Sequence, residues 1–202
     1  MKDEIKSTIE VYDKFSEQFA NHTDVMIPQF YLNKFISYLD GKKILDVGCG
    51  PGRDVRYFLD EGMKPYGVDL SSGLLKEAKK RGKGNYLQMN MMKLGFKDKS
   101  FDGIWSLSSV LHIKKKDASI AAKEFSRVLK KGGVLFLGLK EGQGEIMKES
   151  PTIPGAKRFY AFYEMHEAEE LLRENGFEIL SAVIEKGAQQ GINNIDIFAR
   201  KI

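Results

Sequence analysis

The residues that most clearly suggest chemistry form a glycine-rich turn at positions 46–52, which read DVGCGPG. The turn follows a short apolar segment, 43–47, that is typical of a buried parallel strand. Glycine has no Cβ, so this backbone can turn sharply and approach a ligand that a side chain would exclude. We therefore expect a small molecule to bind against the turn, although several classes of nucleotide-binding protein share such a feature.

Two details of the turn distinguish between these ligands. The dinucleotide spacing G-x-G-x-x-G requires glycine at position 53, whereas this chain has its third glycine at Gly52, followed by Arg53. Asp46 places a carboxylate two residues before the first glycine, where it would repel a pyrophosphate and attract an ammonium group. The sequence therefore favours a ligand that carries an ammonium group over a dinucleotide.

A second carboxylate, Asp69, ends the next apolar segment, 17 residues after Gly52. At this place a carboxylate can accept hydrogen bonds from both hydroxyls of an adenosine ribose. Asp69 could instead close an ordinary turn or cap the following helix. Because the glycine turn lies upstream, we favour the ribose-binding interpretation.

The elements that must position these residues alternate along the chain. Apolar segments predict strands at 43–47, 66–70, 86–89, 101–107 and 133–139, with helices between most of them. Apolar residues at helical spacing also predict two helices within residues 4–39, before the first strand. This alternation of strand and helix is typical of a doubly wound α/β sheet.

The C-terminal part departs from the alternation. A segment rich in glycine and proline at 141–155 predicts a loop, and residues 164–175 predict a helix closed by Gly176. Strands at 177–185 and 195–200 lie too close together for a parallel crossover, so they should form an antiparallel hairpin. We expect one domain over 1–202, with a helical cap at 1–40 and the sheet core at 41–202.

Four ordered segments resemble passages of one family. The segments ILDVGCGPG at 44–52 and GVDLS at 67–71 resemble motifs I and II of the class I S-adenosylmethionine (SAM)-dependent methyltransferases, and FKDKSFDGI at 96–104 and EFSRVLKKGG at 124–133 resemble two later passages. The resemblance implies a Rossmann-like seven-stranded sheet in the order 3-2-1-4-5-7-6, with the last strand antiparallel and helices on both faces. It also implies SAM as cofactor and S-adenosylhomocysteine as product.

The resemblance further implies which residues contact the cofactor. Asn90 stands where the family usually has aspartate beside the adenine amino group, and its amide oxygen can accept that hydrogen bond. Met91 and Met92 either pack on the adenine or belong to the core, and Tyr12 and Tyr31 either close over the cofactor or are core aromatics. The implied cofactor set is Tyr12, Asp46, Gly48, Cys49, Gly50, Gly52, Arg53, Asp69, Leu70, Asn90, Met91, Met92, Ser106 and Leu107.

The acceptor side of such a site needs less chemistry from the protein. The methyl group of a sulfonium is already electrophilic, so alignment and exclusion of water are the main requirements. His112 is our candidate base, since it follows the fourth strand and imidazole titrates near neutrality, although a capping or supporting role would equally explain it. Arg158, Tyr160 and Tyr163 are candidate substrate residues, and aromatic packing is the alternative.

Composition limits the partners and the compartment. A net charge of +4 in scattered lysine groups does not form the basic surface that nucleic acids require. The single cysteine excludes an internal disulfide and a zinc cluster, and no apolar stretch is long enough to cross a bilayer. We expect a cytoplasmic monomer or homodimer without a metal site.

We expect the methyl acceptor to be a small molecule. The chain has no Asn/Asp-Pro-Pro-Tyr/Phe tetrapeptide, which is typical of enzymes that methylate nucleobases and glutamine. Two alternative functions stay open: a SAM-binding module without catalysis and, less favoured, an NAD-dependent oxidoreductase. Cofactor binding and methyl transfer distinguish the three hypotheses.

Overall fold

A computed structural model describes residues 3–150, 153–187 and 191–202. The seven helices within these residues are α1 (Asp3–Lys14), α2 (Ser16–Thr23), α3 (Gln29–Ser37), α4 (Arg53–Asp60), α5 (Ser72–Arg81), α6 (Lys115–Val128) and α7 (Met165–Glu174). The nine strands are β1 (Lys43–Val47), β2 (Lys64–Asp69), β3 (Asn85–Gln88), β4 (Phe101–Leu107), β5 (Leu129–Lys140), β6 (Glu145–Ser150), β7 (Ile153–Ala161), β8 (Phe177–Lys186) and β9 (Asn193–Lys201). A 3₁₀ turn spans Val110–His112.

Seven of these strands form one sheet in the order β3-β2-β1-β4-β5-β9-β8. Strands β1 to β5 are parallel, and β9 runs antiparallel to both β5 and β8. When the separate β6–β7 pair is left out of the count, this is the predicted order 3-2-1-4-5-7-6 with an antiparallel last strand. The fold prediction is therefore confirmed, including the C-terminal hairpin.

The order reverses at β1, which pairs with β2 on one side and with β4 on the other. The connections from β1 and from β3 therefore leave the sheet in opposite directions, and a crevice opens beyond the carboxyl ends of β1 and β4. Ligands of open α/β sheets bind at such a reversal. The glycine turn, which follows β1, lies at this position.

Aromatic side chains fill the core between α3, α4 and the sheet. The rings of Trp105 and Phe136, on adjacent strands, stack with centroids 4.0 Å apart, and Phe35 of α3 meets Trp105 edge to face at 5.4 Å. The indole Nε1 of Trp105 donates to Asp54 Oδ2 at 2.9 Å. This bond satisfies a buried donor and fixes the start of α4 against β4, directly behind the glycine turn.

The expectation of two helices before the first strand is wrong, since residues 3–37 contain three. The break falls at Phe15, between α1 and α2. Asp13, just before it, accepts hydrogen bonds from Ser71 Oγ at 2.6 Å and from Gly73 N at 2.8 Å. Continuous helical spacing in the sequence does not show that the chain turns here to meet the start of α5.

The loop predicted at 141–155 is also wrong from Glu145 onward, where β6 begins. Strands β6 and β7 pair as an antiparallel hairpin, with Ile146 opposite Tyr160. The glycines and prolines of this segment suggested a loop, but Gly142 and Gly144 precede β6, and Pro154 and Gly155 lie in the first residues of β7. The backbone N of Phe159 on β7 donates to Thr8 Oγ1 of α1 at 3.0 Å, so the hairpin and the first helix together cover the crevice.

Candidate functional site

A cavity of about 670 Å³ occupies the crevice beyond the carboxyl ends of the parallel strands. Its walls come from the glycine turn, from the ends of β2, β4 and β5, from α1 and α2, and from β7. Twelve of the sequence-predicted residues line it: Tyr12, Gly48, Cys49, Gly50, Arg53, Asp69, Leu70, Met91, Leu107, His112, Arg158 and Tyr160. The structure thus brings together residues that are up to 148 positions apart in sequence.

The glycine turn is a left-handed backbone held against β2. Gly48, Gly50 and Gly52 have φ of 74°, 52° and 76°, values that favour glycine. A Cβ on Gly48 would lie 2.3 Å from Ser109 Cβ, and one on Gly52 would lie 2.5 Å from the Tyr86 hydroxyl. Gly52 does not line the cavity; it packs against Tyr86 and is the residue directly before α4.

Asp69 is held in a defined orientation beside the turn. Its Oδ2 accepts from Gly50 N at 2.9 Å and its Oδ1 from Ser71 N at 2.8 Å. Burial raises the pKa of Asp69, and these backbone N–H groups counteract the rise. A carboxylate has about four acceptor positions, so each oxygen keeps one for a ligand.

Asp46 lies behind the turn and outside the cavity lining. It is 2% exposed, and its Oδ2 has no hydrogen-bond partner within the described residues. Burial and the nearby Asp54 raise its pKa well above the ordinary range. An ammonium group beside Asp46 would lower this pKa and favour the carboxylate form. That Asp46 attracts such a group stays a prediction.

Arg53, the residue that breaks the dinucleotide spacing, is paired with its neighbour. Its Nε and Nη2 donate to the two oxygens of Asp54 at 2.6 and 2.8 Å, and its Nη1 donates to the Met26 carbonyl at 2.7 Å. Together with the Met26 contact, this bidentate pair uses three of the five N–H donors of the guanidinium. Arg53 therefore ties the start of α4 to the segment between α2 and α3, at the rim of the cavity.

A hydrogen-bonded series crosses the cavity from α1 to β7. His112 Nδ1 lies 2.7 Å from the Phe159 carbonyl, which can only accept, so Nδ1 carries the proton and Nε2 is the acceptor. The Tyr12 hydroxyl, 2.9 Å away, donates to Nε2 and itself accepts from Arg158 Nη1. Burial, aided by the charge of Arg158, lowers the pKa of His112 to about 3, so the ring is neutral at physiological pH.

Six predicted site residues lie outside the cavity lining: Asp46, Gly52, Asn90, Met92, Ser106 and Tyr163. Asn90 Oδ1 accepts from Met92 N at 2.9 Å, which makes a local turn after β3. The hydroxyls of Ser106 and Ser109 share a hydrogen bond of 2.7 Å. Tyr163 packs under the Lys115 ammonium, 5.0 Å from its ring centroid, and is 3% exposed.

Sequence reasoning missed several residues that line the cavity. Phe19 of α2 and Ser109, which follows β4, lie beside the glycine turn, while Lys140, Glu185, Asn194 and Asp196 line the part beside β5 and β9. Burial and the nearby Glu185 raise the pKa of Asp196 to about 6. The late strands enter the site only because β9 inserts beside β5, which no local motif indicates.

Two kinds of feature are missing from residues 3–150, 153–187 and 191–202. No group of three or more His, Cys, Asp or Glu side chains is placed to hold a metal ion. None of the helices in these ranges has the length and hydropathy needed to cross a membrane.

Known proteins resemble both the sequence and the fold. Residues 45–137 match the family model described as a methyltransferase domain. The chain is 30% identical to the O-methyltransferase resE of Aspergillus sclerotiorum over 69% of its own length and 56% of that protein. It is also 30% identical to a putative methyltransferase of Encephalitozoon cuniculi, over 68% of its own length and 70% of that protein. In other relatives, the region that matches this chain covers as little as 32% of the relative's own length.

A solved structure shows the same fold over the whole chain. The 1,6-didemethyltoxoflavin-N1-methyltransferase of Burkholderia thailandensis superimposes with a TM-score of 0.73 at 20% identity, covering 100% of this chain and 91% of that one. That structure contains 1,6-didemethyltoxoflavin and S-adenosylhomocysteine. From the family match, the sequence relatives and the shared fold, we conclude that this chain belongs to the class I SAM-dependent methyltransferase family.

Proposed function

We propose that this protein transfers a methyl group from SAM to a small-molecule acceptor. The observation that carries the proposal is the fixed carboxylate of Asp69 at the floor of the cavity. Backbone N–H groups of Gly50 and Ser71 orient its two oxygens, and each oxygen keeps an acceptor position. This arrangement suits the paired hydroxyls of a ribose, as the sequence predicted.

The residues of the site fit SAM better than a dinucleotide. Asp69 brings a carboxylate to the cavity side of the glycine turn, and the buried Asp46 Oδ2 behind the turn has no hydrogen-bond partner within the described residues, a partner that an ammonium group could supply. A pyrophosphate against the turn would lie beside the Asp69 carboxylate, which lines the cavity. When bound, SAM supplies an electrophilic methyl group, and Asp69, Leu70 and the turn would hold its nucleoside and amino-acid parts.

The chain itself aligns the reactants and excludes water. Helices α1 and α2 and the β6–β7 hairpin cover the sheet edge, and the series from Arg158 through Tyr12 to His112 fixes the side chains on the acceptor side. These hydrogen bonds hold the side chains of Arg158, Tyr12 and His112 in fixed orientations. Such fixed positioning of the reactants is the main contribution that a protein makes to this kind of transfer.

His112 stays our candidate proton acceptor, in a subordinate role. Its Nε2 already accepts a hydrogen bond from the Tyr12 hydroxyl, so a proton of the methyl acceptor cannot reach Nε2 directly. Tyr12 would have to donate its own proton to Nε2 and take up the proton of the acceptor. A pKa near 3 makes this transfer unfavourable at neutral pH. The proposal therefore assigns most of the rate to alignment rather than to general-base catalysis.

A small acceptor agrees with the size and position of the cavity. Its volume of about 670 Å³ falls in the range of small-molecule sites. The compared N1-methyltransferase of Burkholderia thailandensis is named for 1,6-didemethyltoxoflavin, a small molecule that its structure contains, which supports the same class of acceptor here. A cytoplasmic monomer or homodimer without nucleic-acid partners is part of this proposal.

Substitution of Asp69 tests the cofactor site. We expect Asp69→Ala to weaken S-adenosylhomocysteine binding by tenfold or more, about 1.4 kcal/mol, because the ribose loses its oriented acceptor. Calorimetric titration of both proteins measures this. Asp60→Ala, which removes an exposed carboxylate at the end of α4, is the matched control and should bind like the wild type.

The same titration tests the whole proposal. Wild-type protein should bind S-adenosylhomocysteine and should release little heat with NAD⁺; the reverse result would overturn the assignment. Methyl transfer is then assayed with labelled SAM and a panel of hydroxylated, amino and heterocyclic acceptors. Cofactor binding without transfer to any of them would favour a module that binds SAM and does not catalyse.

A further inference from the structure

The cavity wall contains a buried cation without an opposite charge. Arg158 is 4% exposed; its Nη2 donates to Ser150 Oγ at 3.0 Å and its Nη1 to the Tyr12 hydroxyl, and its Nε has no hydrogen-bond partner among the described residues. Within the same residues, no carboxylate oxygen lies within 4.0 Å of the guanidinium. An unpaired buried charge is costly, and a ligand anion that pairs with it would offset this cost.

Aromatic rings fix the position of this cation. The guanidinium carbon lies 4.8 Å from the ring centroid of Tyr12, 5.4 Å from that of Tyr160 and 5.8 Å from that of Phe19. Cation–π contacts of this kind compensate part of the lost hydration and hold the planar group in place. The guanidinium is therefore ordered in advance, with donors left for a planar oxyanion.

The other cations that line the cavity are already engaged. Arg53 forms its bidentate pair with Asp54, and Lys140 Nζ donates to Asn194 Oδ1 at 2.5 Å. Arg158 also comes from a different part of the chain from the glycine turn and Asp69. It belongs to β7, whereas the glycine turn and Asp69 fall within residues 45–137, which match the family model. A residue outside that shared part is well placed to recognise the acceptor rather than the cofactor.

We propose that Arg158 binds an oxyanion, a carboxylate or a phosphate, carried by the methyl acceptor. The inference rests on the proposed function and narrows its substrate class to anionic small molecules. The planar fork of the guanidinium would bind the anion, and Tyr12, Tyr160 and Phe19 would contact the body of the acceptor. Recognition would thus come from the β6–β7 hairpin and the N-terminal helices.

The first test measures anion binding to protein saturated with S-adenosylhomocysteine. Benzoate and inorganic phosphate are titrated as carboxylate and phosphate probes, with benzamide as the neutral counterpart of benzoate. We expect at least one anion to bind, and benzoate to bind about tenfold or more tightly than benzamide if the site prefers carboxylates. Failure of both anions to bind, or equal binding of benzoate and benzamide without phosphate binding, overturns the proposal.

Variants then locate the site. Arg158→Gln should weaken the bound anion by about tenfold or more, while Lys157→Gln, which removes an exposed charge from the adjacent position of β7, should leave its affinity unchanged. If Arg158→Gln does not fold, Arg158→Lys is the alternative variant. It keeps the positive charge but loses the planar pair of N–H donors, so it should still lower the affinity for the anion measurably. Unchanged anion affinity in a folded Arg158 variant contradicts the proposal.

A second comparison separates the acceptor from the cofactor as the source of the anion. S-adenosylhomocysteine carries a carboxylate, and 5′-methylthioadenosine lacks it. We expect Arg158→Gln to leave the affinity for both within about twofold of the wild type. Selective loss of S-adenosylhomocysteine affinity would show that Arg158 holds the cofactor instead, whereas a wild-type protein that does not bind S-adenosylhomocysteine would contradict the proposed function itself.

Discussion

Gly50→Val should lower the affinity for S-adenosylhomocysteine by about a hundredfold or more, a loss of about 2.7 kcal/mol. Gly50 lines the cavity with φ of 52°, a region that a β-branched residue adopts only with strain of about 1–3 kcal/mol. A Cβ at this position would lie 3.8 Å from Phe19 Cε1, so the valine methyl groups would extend into the space between the turn and α2. Strain and occupied volume both act where the cofactor is proposed to bind.

Gly62→Val is the matched control for backbone strain. Gly62, after α4, has φ of 73°, and no atom lies within 4 Å of a Cβ built on it. This variant should lose comparable stability and keep cofactor affinity within about twofold. Calorimetric titration and thermal unfolding of the three proteins separate the two effects. Wild-type affinity in a folded Gly50→Val protein would contradict the placement of the cofactor against the turn.

The shared part of the fold could be predicted because its signals are local. Strands β1 and β4 are short and mostly apolar, β5 contains such a run, and the turn after β1 shows its glycines in the sequence. Asp69 follows from the same logic, since its distance from the turn is set by one helix and one strand. The sheet order required the family resemblance in addition, because strand pairing joins segments that are distant in sequence.

The acceptor side could be predicted only in part, since it is built from distant contacts. Tyr12 meets His112 across 100 positions and Arg158 across 146. The sequence named all three residues but not the series that joins them. Nor did it distinguish Tyr160, which lines the cavity, from Tyr163, which does not, because both lie between the predicted loop and the predicted helix, where the sequence predicted no element.

This series makes the N-terminal helix part of the site rather than a passive cover. The Tyr12 hydroxyl accepts from Arg158 and donates to His112, and Asp13, the next residue, docks on the start of α5 beside the end of β2. Helix α1 therefore contacts both sides of the cavity, at Arg158 and at the start of α5, which follows Asp69.

The buried neutral state of His112 should make the protein less stable in acid. The folded pKa of about 3 lies below the unfolded value of 6.5, so the unfolded chain takes up a proton first as the pH falls. The stabilisation from this group is complete above pH 6.5 and is lost progressively between pH 6.5 and 3. Between pH 7.5 and 4.5 the loss amounts to about 2–3 kcal/mol, at about 1.4 kcal/mol per pH unit below 6.5.

His112→Gln removes this titration, so a comparison of variants isolates it. Other buried groups, such as Asp196 with its raised pKa, shift stability in the opposite sense but are common to both proteins. We expect the variant to be less stable than the wild type at pH 7.5, because it perturbs the bonds to Tyr12 and Phe159, and the difference to shrink by about 2–3 kcal/mol at pH 4.5. Urea unfolding at both pH values measures it. His166→Gln, at an exposed position of α7, is the control and should show no such change. If the stability difference between His112→Gln and the wild type were the same at both pH values, His112 would not be held neutral by burial.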